Sequence, residues 1–299
     1  VDLSCSNNKL VRRGIRIIES VTRLPSDKAE ALLFDAQKHV KTALAMNFLG
    51  ESQAVAKTHL EAQNGFLRNT LRRPHRKNRR IDAVIFDMDG TVLRYGLPNG
   101  FSTWAALGWG FQIYADMERW VSAYLAGKMT YEKIWKNCAE RLEGKPVGHA
   151  RDVLFPCAGE APLSRGFSDC VALLRGKYQV GILSSGLSVV AREIRKKLSL
   201  DFEVSNHLGT RKGVFDGTYK IRVPFDHKRE VFLALCKRRK LDPARVCFVG
   251  DSPNDEEVLK SVGCPVAYMP SRSSVTLAAK GNQIGDFLFL PKLLESFGA

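Results

Sequence analysis

The feature that most constrains the fold is a short apolar run that recurs along the chain. Residues 81–86 read Ile-Asp-Ala-Val-Ile-Phe, and similar runs lie at 178–183 and 245–249. Such runs are typical of parallel strands that are buried on both faces. Helical patterns at 166–176 and 227–240 precede the second and third runs. This alternation of strands and helices predicts an α/β fold with a doubly wound parallel sheet.

The segment between the first two runs has a different character. Residues 94–165 hold Trp104, Trp109, Trp120 and Trp135, which are all the tryptophans of the chain, and helical patterns at about 111–126 and 130–142. We predict a helical cap over 94–165, inserted into an α/β core of 81–93 and 166–299. The tryptophans either line a pocket for a ring or an apolar group or, as is commoner, form the core of the cap. Glycines within 208–223 indicate a β-hairpin.

Residues 1–80 are predicted to be all-helical. Pro25 ends a first helix, and Ser26 is the expected N-cap of a second helix that runs to Leu49. Gly50 is the expected stop, and a further helical segment over 51–73 suggests a helical hairpin.

This N-terminal region is also strongly basic. It holds 16 Lys and Arg against 7 Asp and Glu, a net charge of +9 out of +15 for the chain. Seven of the thirteen residues at 68–80 are basic, which is typical of a solvated linker. The charge favours an acidic partner, so nucleic acid is one alternative. Aromatic residues are sparse here, which favours a docking or oligomerisation module instead.

Features of the whole chain indicate an intracellular protein, and we expect a cytoplasmic one. The sequence has no apolar stretch of the roughly 18 residues that a membrane span needs. Its seven cysteines are scattered without a Cys-x-x-Cys pair, which is typical of a reducing compartment. Cys247, within the third run, is predicted to be a small buried residue.

Two carboxylates follow the first predicted strand. Asp87 and Asp89 lie directly after the run and before Gly90 and Thr91. A carboxylate can attack phosphorus and form an acyl phosphate. A second carboxylate can protonate the leaving oxygen and then activate water. Two acids near a turn are more often simply solvated, but the apolar strand before them favours a site.

The second run is followed by Ser184, Ser185 and Gly186, and a helical pattern begins near residue 187. Backbone N–H groups at a helix start, with a hydroxyl, can bind an anion, although for this segment taken alone an ordinary N-cap is the commoner outcome. Lys228 lies at the start of a later helix, for which Asp226 is the expected N-cap. A cation there opposes the helix dipole, so either a nearby anion stabilises it or it is solvated.

The third run is followed by a loop that contains Asp251, Asn254 and Asp255. The carboxyl ends of parallel strands meet at one edge of the sheet, so these carboxylates are expected near Asp87. Oxygen ligands of this kind suit Mg²⁺, which binds one or two carboxylates together with a substrate phosphate. Such a metal ion neutralises charge on a phosphoryl group.

Together, the four segments resemble the haloacid dehalogenase superfamily in type and order, over 81–299, about three quarters of the chain. The first motif is Asp87-Met88-Asp89-Gly90-Thr91, and Ser184 and Lys228 match the second and third. The fourth is the segment 250–255. The resemblance implies a Rossmann-like sheet and a phosphatase.

The resemblance also implies a role for each residue. Asp87 is expected to be the nucleophile and a Mg²⁺ ligand, and Asp89 the general acid/base, with its carbonyl on the metal. Asp251 completes the metal site. Ser184, with Ser185 and Gly186, and Lys228 hold the phosphoryl oxygens, and the supporting residue Asp255 orients its neighbours, including Lys228.

Within the superfamily the chain is most similar to the phosphoserine phosphatase group, in which Asn254 is expected to contact substrate. That group carries a Glu shortly after the first motif, whereas residues 92–97 of this chain contain no acid. Phosphoserine is therefore a doubtful substrate. Arg94, in this stretch, either favours an acidic substrate or is a solvated residue.

These observations predict hydrolysis of a small-molecule phosphomonoester. One alternative is phosphoryl transfer to an acceptor other than water. Another is a phosphatase that the basic N-terminal helices recruit to nucleic acid or another anionic partner.

Overall fold

Seven strands form one sheet in the computed structural model, which describes residues 5, 7–22, 24–49, 52–61, 64–67, 70, 80–97, 102–156 and 159–298. The sheet order is β4-β3-β2-β1-β5-β6-β7. Every neighbouring pair is parallel except β3 and β4. The predicted α/β fold is thus confirmed, as is the hairpin. The strands are β1 Ala83–Phe86, β2 Gln179–Leu187, β3 Phe202–Arg211, β4 Val214–Lys220, β5 Val246–Gly250, β6 Cys264–Tyr268 and β7 Gln283–Ile284.

Helices lie before the sheet, between its strands and after it. Among the helices whose bounds lie within the described ranges, the first eight are α1 Asn8–Thr22, α2 Ser26–Asp35, α3 Val40–Leu49, α4 Gln53–Glu61, α5 Thr103–Gly110, α6 Tyr114–Leu125, α7 Tyr131–Leu142 and α8 Val147–Leu154. The others are α9 Phe167–Leu174, α10 Ser188–Leu198, α11 Lys228–Arg239, α12 Glu256–Ser261, α13 Ser273–Ala278 and α14 Leu290–Gly298. Within the described ranges, no helix has both the length and the hydropathy to cross a membrane.

The central strand β1 is apolar throughout because both of its faces are covered. Val84 and Phe86 lie in the core on one face of the sheet. Ala83 and Ile85 lie in the core on the other face. All four side chains are fully buried. Two-sided burial is why this strand reads as a continuous apolar run rather than an alternating one.

The position of β1 in the sheet determines where a ligand can bind. Phe86, its last residue, pairs with Ile182 of β2 on one side and with Val249 of β5 on the other. The strand order reverses here, so the loops after β1, β2 and β5 diverge from a crevice at one edge. Ligands of open α/β sheets bind in such a crevice.

The N-terminal helices have a core of their own, which includes Ile18 and Leu33. The prediction of one helix from Ser26 to Leu49 is wrong: α2 and α3 are separate. Gln37 and Lys38 have φ of 53° and 63°, and these left-handed conformations end the helix.

Two details of that region also differ from the predictions. Ser26 is the first residue of α2, and Pro25 precedes it without a side-chain cap. The segment predicted as one helix over 51–73 contains α4, a turn at Asn64 and Gly65, and helical backbone again at Leu67 and Thr70. Gly50 and most of the basic run at 68–80 lie outside the described residues.

Candidate active site

A buried lysine links the ends of β1 and β5. The Lys228 Nζ lies 2.5 Å from Asp87 Oδ1 and 2.6 Å from Asp255 Oδ1. All three side chains are buried. Lys228 is the first residue of α11, where a cation opposes the helix dipole. The two carboxylates provide the nearby anion, and the ammonium compensates their buried charge.

Asp255 also organises the loop after β5. Its Oδ2 accepts hydrogen bonds from the N–H of Asp251 (3.1 Å) and of Ser252 (3.2 Å). Because Asp255 already binds these amides and Lys228, the carboxylates of Asp87 and Asp251 are better placed to hold a metal ion.

The described carboxylates form one group that can hold a metal ion. Oxygen atoms of Asp87, Asp251 and Asp255 all lie within 4.8 Å of one another. Burial, despite the opposing effect of Lys228, raises the pKa of Asp87 to about 6. Burial, reinforced by the charges of Asp87 and Asp255, raises the pKa of Asp251 to about 8. Buried oxygen donors with this excess of negative charge fit a hard divalent cation such as Mg²⁺.

The turn after β1 brings Asp251 close to the backbone. Gly90 has φ of 85°, and a Cβ at this position would lie 2.3 Å from Asp251 Oδ2. The Thr91 hydroxyl donates to Asp251 Oδ1 at 2.8 Å. The Gly-Thr pair therefore leaves room for Asp251 and orients it.

Asp89 is held by Thr103, the first residue of α5. The N–H of Thr103 donates to Asp89 Oδ1 at 2.8 Å, and its hydroxyl donates to Oδ2 at 2.9 Å. Burial nevertheless raises the pKa of Asp89 to about 7. A carboxyl with such a pKa can both donate and accept a proton near neutral pH. The sequence analysis did not predict Thr103 as a site residue. No motif near Thr103 indicates a contact with Asp89, which lies 14 positions earlier.

The segment after the second apolar run is strand rather than helix start. β2 continues to Leu187, and α10 begins at Ser188. Ser184 and Ser185 line the cavity next to Asp87. The Ser185 hydroxyl is buried and lies near the Tyr131 hydroxyl, although the two do not form a hydrogen bond of ordinary geometry. A Cβ on Gly186 would lie 2.4 Å from Asp89 Oδ2, so glycine permits this close approach.

A cavity of about 430 Å³ lies between the strand ends and helices α5–α7. We call the cavity-lining residues of α6 and α7 the cap wall. They are Met117, Val121, Tyr124, Leu125, Tyr131, Ile134, Trp135 and Cys138. Trp104 also lines the cavity and meets Trp135 edge to face, with ring centroids 4.5 Å apart. Trp120 packs against the core, and Trp109 is exposed and stacks on Tyr114.

Of the two residues that were expected to contact substrate, Asn254 lines the cavity and Arg94 does not. Asn254 lines the cavity, and its Oδ1 accepts a hydrogen bond from the Ser252 hydroxyl at 2.5 Å. Arg94 is not one of the lining residues; its Nη1 donates to the Gly90 carbonyl at 3.2 Å.

Asp226 is not the N-cap of α11. A 3-10 turn, Phe225–His227, precedes that helix, and His227 occupies the cap position. The Asp226 carboxylate instead accepts a hydrogen bond from the Tyr124 hydroxyl of α6. This contact joins α6 to the 3-10 turn that leads to Lys228.

The chain belongs to the haloacid dehalogenase-like hydrolase family, whose sequence model matches residues 81–263. The predicted family is thereby confirmed. A phosphoserine phosphatase of Archaeoglobus fulgidus is 23% identical over 193 residues, which are 64% of this chain and 53% of that protein. The match thus spans about half of that relative. A solved phospho-aspartyl intermediate analogue of phosphoserine phosphatase shares the fold, with a TM-score of 0.58 at 19% identity; the match covers 72% of this chain and 99% of that one.

A relative of another kind matches a shorter stretch. The N-acetylmuramic acid 6-phosphate etherase of Bacillus subtilis is 40% identical over 75 residues, which are 25% of this chain and 25% of that enzyme. The hydrolase match leaves two ranges of the chain, 1–80 and 264–299. The second range has 36 residues and is too short for a 75-residue alignment. An alignment of this length that does not overlap the hydrolase match can therefore lie only within residues 1–80.

Proposed function

We propose that the protein is a Mg²⁺-dependent phosphatase that hydrolyses a small-molecule phosphomonoester through an aspartyl phosphate on Asp87. The observation that carries this proposal is the buried cluster of Asp87, Lys228, Asp251 and Asp255 at the base of a cavity. Such a cluster suits the binding and transfer of a phosphoryl group, for which catalysis is mostly positioning and charge stabilisation.

In the first step, an oxygen of Asp87 bonds to phosphorus while the bond from phosphorus to the substrate's alcohol oxygen breaks. Asp89 gives its proton to that oxygen. In the second step, Asp89 takes a proton from water, the water oxygen bonds to phosphorus, and the bond to Asp87 breaks. Inorganic phosphate leaves, and both carboxyl groups return to their initial states.

The surrounding residues hold the phosphoryl group. Lys228, the Ser184 and Ser185 hydroxyls and the Gly186 backbone are proposed to bind its oxygens. When bound by Asp87, Asp251 and the Asp89 carbonyl, Mg²⁺ supplies positive charge against that group. Asp255 supports the site through Lys228 and the Asp251 amide.

The test is the Asp87→Asn variant, with Asp82→Asn as a matched control. Asp82 lies at the opposite end of β1, where it pairs with Arg245 on the surface. We expect Asp87→Asn to abolish Mg²⁺-dependent phosphate release and the hydroxylamine-sensitive phosphoenzyme, and Asp82→Asn to keep both. Phosphate release by Asp87→Asn at the parent's rate would rule out this mechanism.

The etherase match favours a particular kind of substrate. We propose, as a second and narrower candidate, that the phosphatase acts on a phosphorylated amino sugar related to the one in the etherase's name. The expected result is a higher kcat/KM for N-acetylmuramic acid 6-phosphate than for phosphoserine. A preference for phosphoserine would contradict it.

We also propose that residues 1–80 act as a docking or oligomerisation module. They have their own core, and Val21 and Phe34 remain about half exposed, at 48% each. Light scattering of the full chain and of a Phe34→Arg variant tests this. A monomer at all concentrations would contradict the oligomerisation part.

A further inference from the structure

We infer that the substrate of this active site is the phosphate ester of an alcohol that bears an uncharged ring or a similarly bulky apolar group. The inference rests on the first function proposed above and names its substrate class. It is an alternative to the amino-sugar candidate, because N-acetylmuramic acid carries a carboxylate. The phosphate would lie at Asp87, and the uncharged group would lie against the cap wall.

The first observation is the absence of charge from the cap wall. Of the described residues that line the cavity, the charged ones are Asp87, Asp89 and Asp251, all at the strand ends. Burial raises the pKa of Tyr131 to about 12 and that of Cys138 to about 12, so both remain neutral. A charged group placed against this wall would lose its hydration without gaining a partner.

The second observation is the shape of the wall. Trp135 is 1% exposed, and Trp104 meets it edge to face at an interplanar angle of 87°. Tyr131 also packs against Trp135 in an edge arrangement. Fixed rings at right angles form a corner that offers aromatic and aliphatic contacts to a ring-sized group. The cavity volume of about 430 Å³ is within the usual range for such ligands.

The third observation explains why an amino-acid phosphate fits poorly. Its ammonium and carboxylate each need an oppositely charged partner beyond the phosphate. Val92 and Leu93, which follow the first motif, are buried in the core. Arg94 bonds the Gly90 carbonyl and does not line the cavity.

The first experiment compares substrates on the full chain with Mg²⁺. Benzyl phosphate, 4-carboxybenzyl phosphate and phosphoserine present a neutral ring, a charged ring and a zwitterion. We expect kcat/KM for benzyl phosphate to exceed the other two at least about tenfold, given the cost of burying an unpaired charge. Equal values, or a preference for phosphoserine, would overturn the inference and leave the proposed function standing. No turnover and no phosphoenzyme with any ester would instead count against the proposed function.

The second experiment adds a charge to the wall. Val121 lines the cavity and is 43% exposed, so Val121→Arg is compatible with the fold. Ser122→Arg is the matched control, because Ser122 is exposed on the same helix and does not line the cavity. Val121→Arg should raise kcat/KM for 4-carboxybenzyl phosphate relative to benzyl phosphate about fivefold, as expected for a partly exposed ion pair.

The control should leave that ratio within about twofold of the parent value. An unchanged ratio in Val121→Arg, or an equal change in the control, would overturn the inference. Leu125→Arg replaces Val121→Arg if the latter unfolds, because Leu125 lines the same wall and is 72% exposed.

Discussion

The buried ammonium of Lys228 gives the sharpest test of how this site is stabilised. In Lys228→Met, Asp87 and Asp255 would stay buried without the cation that now lies 2.5 and 2.6 Å from them. Removing one partner of a buried ion pair costs about 3–5 kcal/mol. Because one ammonium here compensates two carboxylates, we expect the free energy of unfolding to fall by an amount near the upper end of that range. Protonation of Asp87 would offset part of this loss. That is a large part of the roughly 5–15 kcal/mol that stabilises a typical domain.

Urea unfolding at neutral pH, without Mg²⁺ and followed by circular dichroism, measures the loss. Lys260→Met is the control: Lys260 pairs with Glu257 on the surface, where both side chains are more than half exposed. Such a pair contributes about 0–1 kcal/mol. Adding Asp255→Asn to Lys228→Met should recover part of the stability, because it removes one unpaired charge. A Lys228→Met protein within about 1 kcal/mol of its parent would refute the reasoning.

Three further predictions concern the groups around Asp87. Mg²⁺ at about 100 times its dissociation constant should raise the free energy of unfolding by about 2.7 kcal/mol. In denaturant titrations, the Asp251→Asn variant should not show this increase. An increase as large as that of the parent protein would exclude Asp251 as a ligand. Gly90→Ala should cost more than about 1 kcal/mol, because a left-handed residue gains a Cβ 2.3 Å from Asp251 Oδ2. The control is Gly127→Ala, because Gly127 also has a positive φ but a Cβ there would have no atom within 4 Å. In the same urea titration, it should lose less free energy of unfolding than Gly90→Ala. Equal losses would contradict the proposed overlap with Asp251. Thr103→Val should lower kcat about tenfold, because Asp89 loses a hydrogen bond that orients it; steady-state kinetics would show an unchanged kcat if that bond were unimportant.

The sequence predicted the parts of the fold that depend on local pattern. Strands β1, β2 and β5 are apolar runs because they are buried on both faces of the sheet. Cys247 is buried within β5, as its apolar neighbours indicated. Once strands were recognised, the polar residues after them marked one edge of the sheet, which is where the structure has Asp87, Ser184 and Asp251.

The N-terminal helices show where local pattern is insufficient. The residues that separate α2 from α3, Gln37 and Lys38, are neither Gly nor Pro, and the apolar spacing continues across them. Packing of Leu33 and Val40 into one small core turns the chain there. A tertiary contact outweighed a helical preference that is worth only a fraction of a kcal/mol per residue.

The sequence by itself thus determined the class of fold, the family and most of the residues that meet at the candidate site, because these depend on short motifs at the ends of recognisable apolar runs. The tertiary structure alone decided the partners of those residues. Thr103 of α5 reaches Asp89, and Thr91 reaches Asp251 across 160 positions. It also decided that Trp104 and Trp135 line the cavity while Trp109 and Trp120 do not. The physical reason is that periodicity shows which face of a helix is apolar, whereas only packing determines what that face contacts.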